Sequence, residues 1–259
     1  MFIEEILKVD TLTFKDQSDL KRAKYEKLKI FHDGWQNIVL PAPPKNSSSQ
    51  AKNEINEIKK EYDGQSKQDK IDYINCDKDA SYYIKEVLLD NNYDFDEDTI
   101  EMIESQCTPI IRHYKNHFNR PRPYQLAEAL GIDFKRYETD TASTPSYPSG
   151  HTVQPYVVAN YYGKLYPEIR SELRDAADIC AFGRVIAGLH FPSDYRAGIM
   201  LADQLAEFIK YEDLREDAPV NSTGAAVATD QPLVRSRSKY VKKNRKDSET
   251  LYRKLRTYL

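Results

Sequence analysis

Between Asp96 and Tyr114 the apolar residues Ile100, Ile103, Cys107, Ile110, Ile111 and Tyr114 recur at the i, i+3, i+7, i+11 spacing of a helix with one buried face. Asp94, Asp96, Glu97 and Asp98 stand ahead of this stripe, where the positive end of a helix dipole favours acids. The same acids open like a calcium loop, but the sixth position is Thr99 instead of Gly and the twelfth is Ser105 instead of Glu, which excludes an EF-hand. Further helical stretches run over Ala80 to Asp90, His151 to Tyr166, Glu168 to Leu189 and Ser193 to Tyr211, and no run alternates with the period of a strand. The fold class is therefore all-α, a bundle of six or more helices. Hydrophobic residues make up 40% of the 259, enough to fill the core such a bundle needs.

Several function classes fall away on composition. No apolar run approaches the roughly 20 residues of a membrane helix, and the start, MFIEEILKVD, has acids where a secretory signal carries positive charge. A cytoplasmic protein without membrane insertion is the expectation. Cys76, Cys107 and Cys180 are widely spaced and lack a C-x-x-C pair, so they read as buried free thiols. The net charge of −3 hides an asymmetry: Arg235 to Leu259 holds ten Lys/Arg and two acids, which leaves the rest at about −11. Three parts are expected: an N-terminal helical extension over 1–74, a helical body over 75–215, and a linker with a basic tail over 216–259. Within the first, Pro41 to Lys70 reads as a mobile surface segment, partly helical between Ala51 and Tyr62. The tail reads as solvated chain in which Leu251, Leu255 and Tyr258 could form a short amphipathic turn. Its charge would suit an anionic partner such as a nucleic acid or an anionic surface.

Three clusters hold the cationic and imidazole groups that phosphate chemistry requires. In the first, Lys115 and Arg122 are seven residues apart, and on one helix they would lie on nearly one face and converge on an anion. Lysine offers a point charge and arginine a planar fork. By itself this could be a solvated basic helix end. In the second, Pro148-Ser149-Gly150-His151 leads into a helix, where unpaired backbone N–H groups and the dipole make an anion site. Alone it could be a simple helix cap. Pro155, inside that helix, is expected to be tolerated because the first N–H groups have no internal partner to lose. In the third, Gly183-Arg184 is followed by His190 and then Asp194. A carboxylate four residues on can bond Nδ1–H and leave Nε2 free to attack, although Asp194 could equally cap the next helix.

Together the clusters form the order K-x6-RP, PSGH and (S)R-x5-H-x3-D, with Gly183 at the position of the bracketed Ser and with 24 and 31 residues in the gaps. This closely resembles the signature of the type 2 phosphatidic acid phosphatase superfamily, which contains class A acid phosphatases, membrane lipid phosphatases and vanadium haloperoxidases. The resemblance covers roughly Ala80 to Tyr211. It implies a helical bundle with the active site in its core and an acid phosphatase-like catalytic domain over 75–215. It also implies the roles: Lys115, Arg122 and Arg184 on the phosphate oxygens with the N–H groups of Ser149 and Gly150, His190 as nucleophile, Asp194 aligning it, and His151 as general acid. Of the two Arg-Pro pairs, the spacing selects Arg122 and leaves Arg120 as a flanking charge. Gly183 departs from the family, which usually has Ser before this Arg.

The expected activity is that of a metal-independent acid phosphatase acting on small phosphate monoesters through a phosphohistidine, with no cofactor and an optimum below neutral pH. His113 and His117 have the spacing of a helical metal pair, but the Glu of H-E-x-x-H and a third ligand are lacking. A vanadate-dependent haloperoxidase and a non-catalytic anion-binding interaction protein are the alternatives. A homo-oligomer would be unsurprising for such a family.

Overall fold

The computed structural model describes residues 3–15 and 28–216, so the basic tail and nearly all of the expected linker lie outside the described residues. Its helices are α1 (Ile3–Asp10), α2 (Ser49–Gly64), α3 (Lys67–Lys78), α4 (Tyr82–Asp90), α5 (Glu97–Phe118), α6 (Pro123–Ala129), α7 (Gly150–Leu165), α8 (Arg170–Ile186), α9 (Pro192–Leu205) and α10 (Tyr211–Glu216). Among the described residues there is no strand, and extended pairing is limited to a bridge between Phe31 and Ile209. The fold is all-α.

The stripe from Ile100 to Tyr114 is the buried face of α5, and its next member is Lys115. The helix starts at Asp96, whose side chain accepts from Thr99 N–H at 3.0 Å. It stops at Asn119, which has φ +42° and returns its N–H to the Lys115 carbonyl. The apolar face that docks α5 thus carries a lysine into the core at its last turn. Pro121 and Pro123 then forbid a helical continuation, and Arg122 becomes the N-cap of α6. Lys115 and Arg122 therefore lie on two elements, not on one helix face as their spacing suggested.

Helix α7 is the hub. It is buried on nearly every side from Thr152 to Gly163, and α8, α9 and α5 pack around it. Against α9 the approach is close enough to require glycine: a Cβ at Gly198 would lie 2.6 Å from Thr152 Cβ and 3.1 Å from the Ser149 carbonyl. Pro155 is the sixth residue of α7, beyond the first turn, so the carbonyl of His151 does lose its helical partner. The thiol of Cys180 occupies that carbonyl at 3.5 Å, which corrects the reason for tolerating this proline.

The polar stretch after Pro41 is not a mobile surface segment. Ser48 caps α2 by accepting from Ala51 N–H at 3.1 Å, and Ile55 and Ile58 are fully buried in the same core as α5, α7 and α8. Each such side chain contributes roughly 1.5–3 kcal/mol. The helix expected between Ala51 and Tyr62 is present as α2, and what low overall hydrophobicity concealed is the narrow face it buries. At the other end, the long helix expected from Ser193 stops at Leu205; a 3-10 turn over Ala206–Phe208 leads to Ile209, which bridges to Phe31. All three cysteines are buried and free, as read from their spacing.

Candidate active site

His190 lies in the turn between α8 and α9, and both of its ring nitrogens are engaged. Arg122 Nη1 approaches Nε2 at 2.9 Å, and Asp194 Oδ2 lies 3.2 Å from Nδ1. A guanidinium can only donate, so Nε2 is the acceptor and the ring proton sits on Nδ1, facing the carboxylate. Asp194 is also the third residue of α9, and the same Oδ2 accepts Phe191 N–H at 2.9 Å. The capping and aligning readings of Asp194 thus describe one side chain doing both. Ser146 Oγ donates to Oδ2 as well, and Arg120 Nη1 reaches Oδ1 at 2.6 Å. Burial would raise this carboxyl, but Arg120 and then His190 outweigh it and hold it well below the usual carboxylate range.

Three cations converge on this end of the bundle. Arg122 is braced by the carbonyls of Thr144 (from Nε, 2.8 Å) and Leu189 (from Nη1, 2.9 Å). Lys115 donates to the Pro145 carbonyl. Arg184, at the last turn of α8, pairs through Nη1 with Asp77 of α3 and through Nη2 with Thr141 Oγ1 at 2.7 Å. Lys115, Arg122 and Arg184 are 4%, 1% and 1% exposed, which makes them a buried positive cluster. Burial, and then the charge of Arg122, push the Lys115 ammonium well below its ordinary value. Burial and Arg184 bring Arg122 down to about 10 despite the attraction of Asp194. The site is short of negative charge.

His151 is on the first turn of α7, behind the Ser149 N-cap. Burial, then Arg184, His190, Lys115 and Arg122, all press its imidazole toward the neutral form. The same turn brings two details. The Ser149 N–H is committed to the Asp194 carbonyl at 3.1 Å, so it is not available to a ligand as the sequence suggested. Its hydroxyl, fully buried, has no hydrogen-bond partner among the described residues, and neither does Arg184 Nε. Gly150 and His151, as the first helical residues, have N–H groups without an intrahelical acceptor.

Lys115, Arg122, Ser149, Gly150, His151, Arg184, His190 and Asp194 thus come from the ends of α5, α6, α7, α8 and α9, with Arg122 and Ser149 as N-caps and His190 in the turn between α8 and α9. Some members were not visible in the sequence. Arg120 is not a flanking charge: it is 2% exposed and joins Asp194 to Glu54 of α2. Its only outward sign is the repeated Arg-Pro of residues 120–123. Asp77, Thr141 and Glu54 carried no signal, because the arginines they bind here, Arg184 for the first two and Arg120 for the third, are 43 to 107 residues away. At Gly183 a Cβ would meet nothing within 4 Å, so the backbone here does not itself require glycine. His113 and His117 stand elsewhere on α5, with their rings edge-on to Trp35 and Phe118 at 5.5 and 4.7 Å.

Residues 102–210 match the model of the PAP2 superfamily. An acid phosphatase of Zymomonas mobilis subsp. mobilis is 31% identical over 108 residues, which are 41% of this chain and 40% of that protein. In fold, the chain resembles a bacterial vanadium-dependent chloroperoxidase with a TM-score of 0.55, at 15% identity over 73% of this chain and 53% of that one. A bacterial vanadium-dependent iodoperoxidase gives a TM-score of 0.53 and 16% identity over 71% and 54%. The chain thus spans about two-fifths of the curated relative and about half of each solved structure. No helix among the described residues is long and apolar enough to cross a membrane. Every residue expected at the site lies within the segment 102–210 that matches the PAP2 superfamily model.

Proposed function

We propose that this protein hydrolyses small phosphate monoesters by passing the phosphoryl group through His190. The observation that carries the reading is the buried trio Lys115, Arg122 and Arg184, in which Lys115 and Arg122 are each depressed by burial and neighbouring cations. Such a cluster calls for an anion, and phosphoryl transfer spreads negative charge over three equatorial oxygens. The unpartnered Ser149 hydroxyl and Arg184 Nε add donors to the same cage.

In the proposed reaction the phosphate draws Arg122 from His190, which frees the Nε2 lone pair. Nε2 attacks phosphorus while the bond to the leaving oxygen breaks, and His151 gives its proton to that oxygen. Asp194 holds the Nδ1 proton and stabilises the positive charge that develops on the ring. Water then attacks the phosphohistidine, the P–N bond breaks, and His151 takes a proton from the water. Phosphate leaves, and both histidines return to their first state. Each step uses the side chains named, so activity is expected to survive a chelator. Because His151 must carry a proton that its surroundings disfavour, the optimum lies below neutral pH.

The test is release of phosphate from a chromogenic aryl phosphate, from pH about 4 to about 9 with chelator present, together with a base quench that preserves phosphohistidine. The expected result is acid-side turnover and one trapped phosphoryl group on the peptide containing His190. Halide oxidation that appears with added vanadate, without phosphate release, would replace this reading with a haloperoxidase. Neither activity in folded protein would leave an anion-binding protein.

A further inference from the structure

Asp194 is not the end of the chain of contacts behind His190. Arg120 spreads its fork between two carboxylates, with Nη1 at 2.6 Å from Asp194 Oδ1 and Nη2 at 3.1 Å from Glu54 Oε2. The guanidinium lies over the Phe191 ring at 3.8 Å, between the nucleophile and the start of α9. Glu54, on α2, accepts Ser193 N–H at 2.8 Å, Ser193 Oγ at 2.9 Å and Arg196 Nη2 at 3.2 Å. Charges alternate outward from the ring as Asp194, Arg120, Glu54 and Arg196, and the first three are at most 3% exposed.

We infer that Glu54 and Arg120 are positioning residues for His190, acting through Asp194, and that α2, outside the stretch that matches the family, is a working part of the site. The inference rests on the phosphatase reading for its kinetic test. A buried ion pair is weak support for stability, since apolar residues of the same volume often serve as well. Its presence behind the aligning carboxylate needs another reason. With Glu54 in place, Arg120 has a second carboxylate to satisfy, so Asp194 keeps enough negative charge to hold the Nδ1 proton and support the attack. Remove the Glu54 charge and Arg120 leans on Asp194 alone. The added positive field makes His190 a poorer base and nucleophile.

The other charged or titratable groups facing His190 are Arg122, Lys115 and His151, and Glu57 lies beside Glu54 on α2. None of them is altered by the following variants. Glu54→Gln is expected to lower kcat for an aryl phosphate by about tenfold or more while KM changes little. The acid limb of its kcat profile, set by His190 becoming neutral, moves to lower pH. Arg196→Gln, a partly exposed position where folding is not at risk, moves that limb the other way and by less. Glu54→Gln combined with Arg120→Gln removes one charge of each sign, and the limb returns toward wild type. In parallel, ¹⁵N spectra of the imidazoles report the Nδ1-protonated tautomer of His190 without any turnover, and Glu54→Gln is expected to weaken it. If wild-type protein releases no phosphate, the phosphatase reading fails and the spectra alone decide the positioning claim. An unmoved acid limb in all three variants, or an unchanged His190 spectrum in folded Glu54→Gln protein, would overturn it and make the pair plain packing.

Discussion

His190 and His151 face the same cations but are held in opposite ways. His190 is pinned at both ring nitrogens, by Arg122 and by Asp194, and is 2% exposed. His151 is only partly buried, and among the described residues the bond from outside its helix goes to its carbonyl, not its ring. Burial lowers the proton affinity of both, followed by Arg184 for His151 and by Arg122 for His190. Only for His190 does Asp194 pull the other way. A group that attacks phosphorus needs one tautomer and one direction. A group that delivers a proton needs to acquire it at the right moment. Burial and the surrounding cations discourage His151 from holding a proton, and in the proposed reaction a bound phosphate dianion would supply the negative charge that reverses this, tying the proton to the presence of substrate.

The strongest way to break this comparison is to remove the pinned ring. His190→Ala is expected to lower kcat/KM by at least about 10⁴-fold and to abolish the trapped phosphoenzyme, because no other side chain takes over the covalent step. His151→Ala comes next, and its effect should depend on the substrate. An alkyl phosphate, whose leaving oxygen needs a proton, is expected to lose about 10²- to 10⁴-fold, and a nitrophenyl phosphate much less. Equal losses on the two substrates would remove the acid role from His151.

A pH titration of stability sharpens the same contrast without turnover. Both histidines have folded pKa values below the ordinary 6.5, so on the acid side of that value the unfolded chain binds more protons. Their contribution is complete above about pH 6.5 and is lost as pH falls toward the folded values. Thermal midpoints should therefore drop as the buffer is taken from neutral to mildly acid pH. Saturating phosphate, which favours protonated His151, should flatten that drop. His151→Ala should flatten it without phosphate. A midpoint that rises toward acid pH would reverse the assigned directions. Asp194, held low by Arg120, enters only in much stronger acid.

How much of this could be read from the sequence follows the range of the interactions. The stripe of α5 and the Ser149-Gly150 start of α7 are local, and they were legible because helix periodicity and first-turn geometry act over a few residues. The motif residues were legible because their spacing matches a known pattern. Lys115 and Arg122 are close enough for their charges to interact, but they lie on different elements, because Asn119 and two prolines break the chain between them. Arg120 was misjudged because its partners, Asp194 and Glu54, lie 74 and 66 residues away. The helix of α2 is legible between Ala51 and Tyr62, but its docking into the core is not, because Lys, Glu and Asn on its outer face outnumber the few buried residues on the inner one. Contacts across the bundle leave no periodic trace in a single sequence.

Two glycines give the smaller tests of how tightly the two histidine elements are placed. Gly198→Ala puts a methyl 2.6 Å from Thr152 Cβ, one residue beyond His151. Overpacking of this kind costs about 1–3 kcal/mol, and the displaced first turn of α7 should raise KM, both measurable by denaturation and steady-state kinetics. Gly183→Ser is the opposite case, since the added Cβ finds open space. Replacing a mid-helix glycine should stabilise α8 by roughly 0.5 kcal/mol. Arg184 is already held by Asp77 and Thr141, so a serine beside it has little left to orient, and kcat/KM should change by no more than about twofold. A large gain in activity would mean that Asp77 and Thr141 draw Arg184 away from the phosphate position instead of holding it there. That outcome would move Arg184 to the loosely placed side of the site, next to His151, and leave Arg122 and Lys115 as the fixed part of the cage.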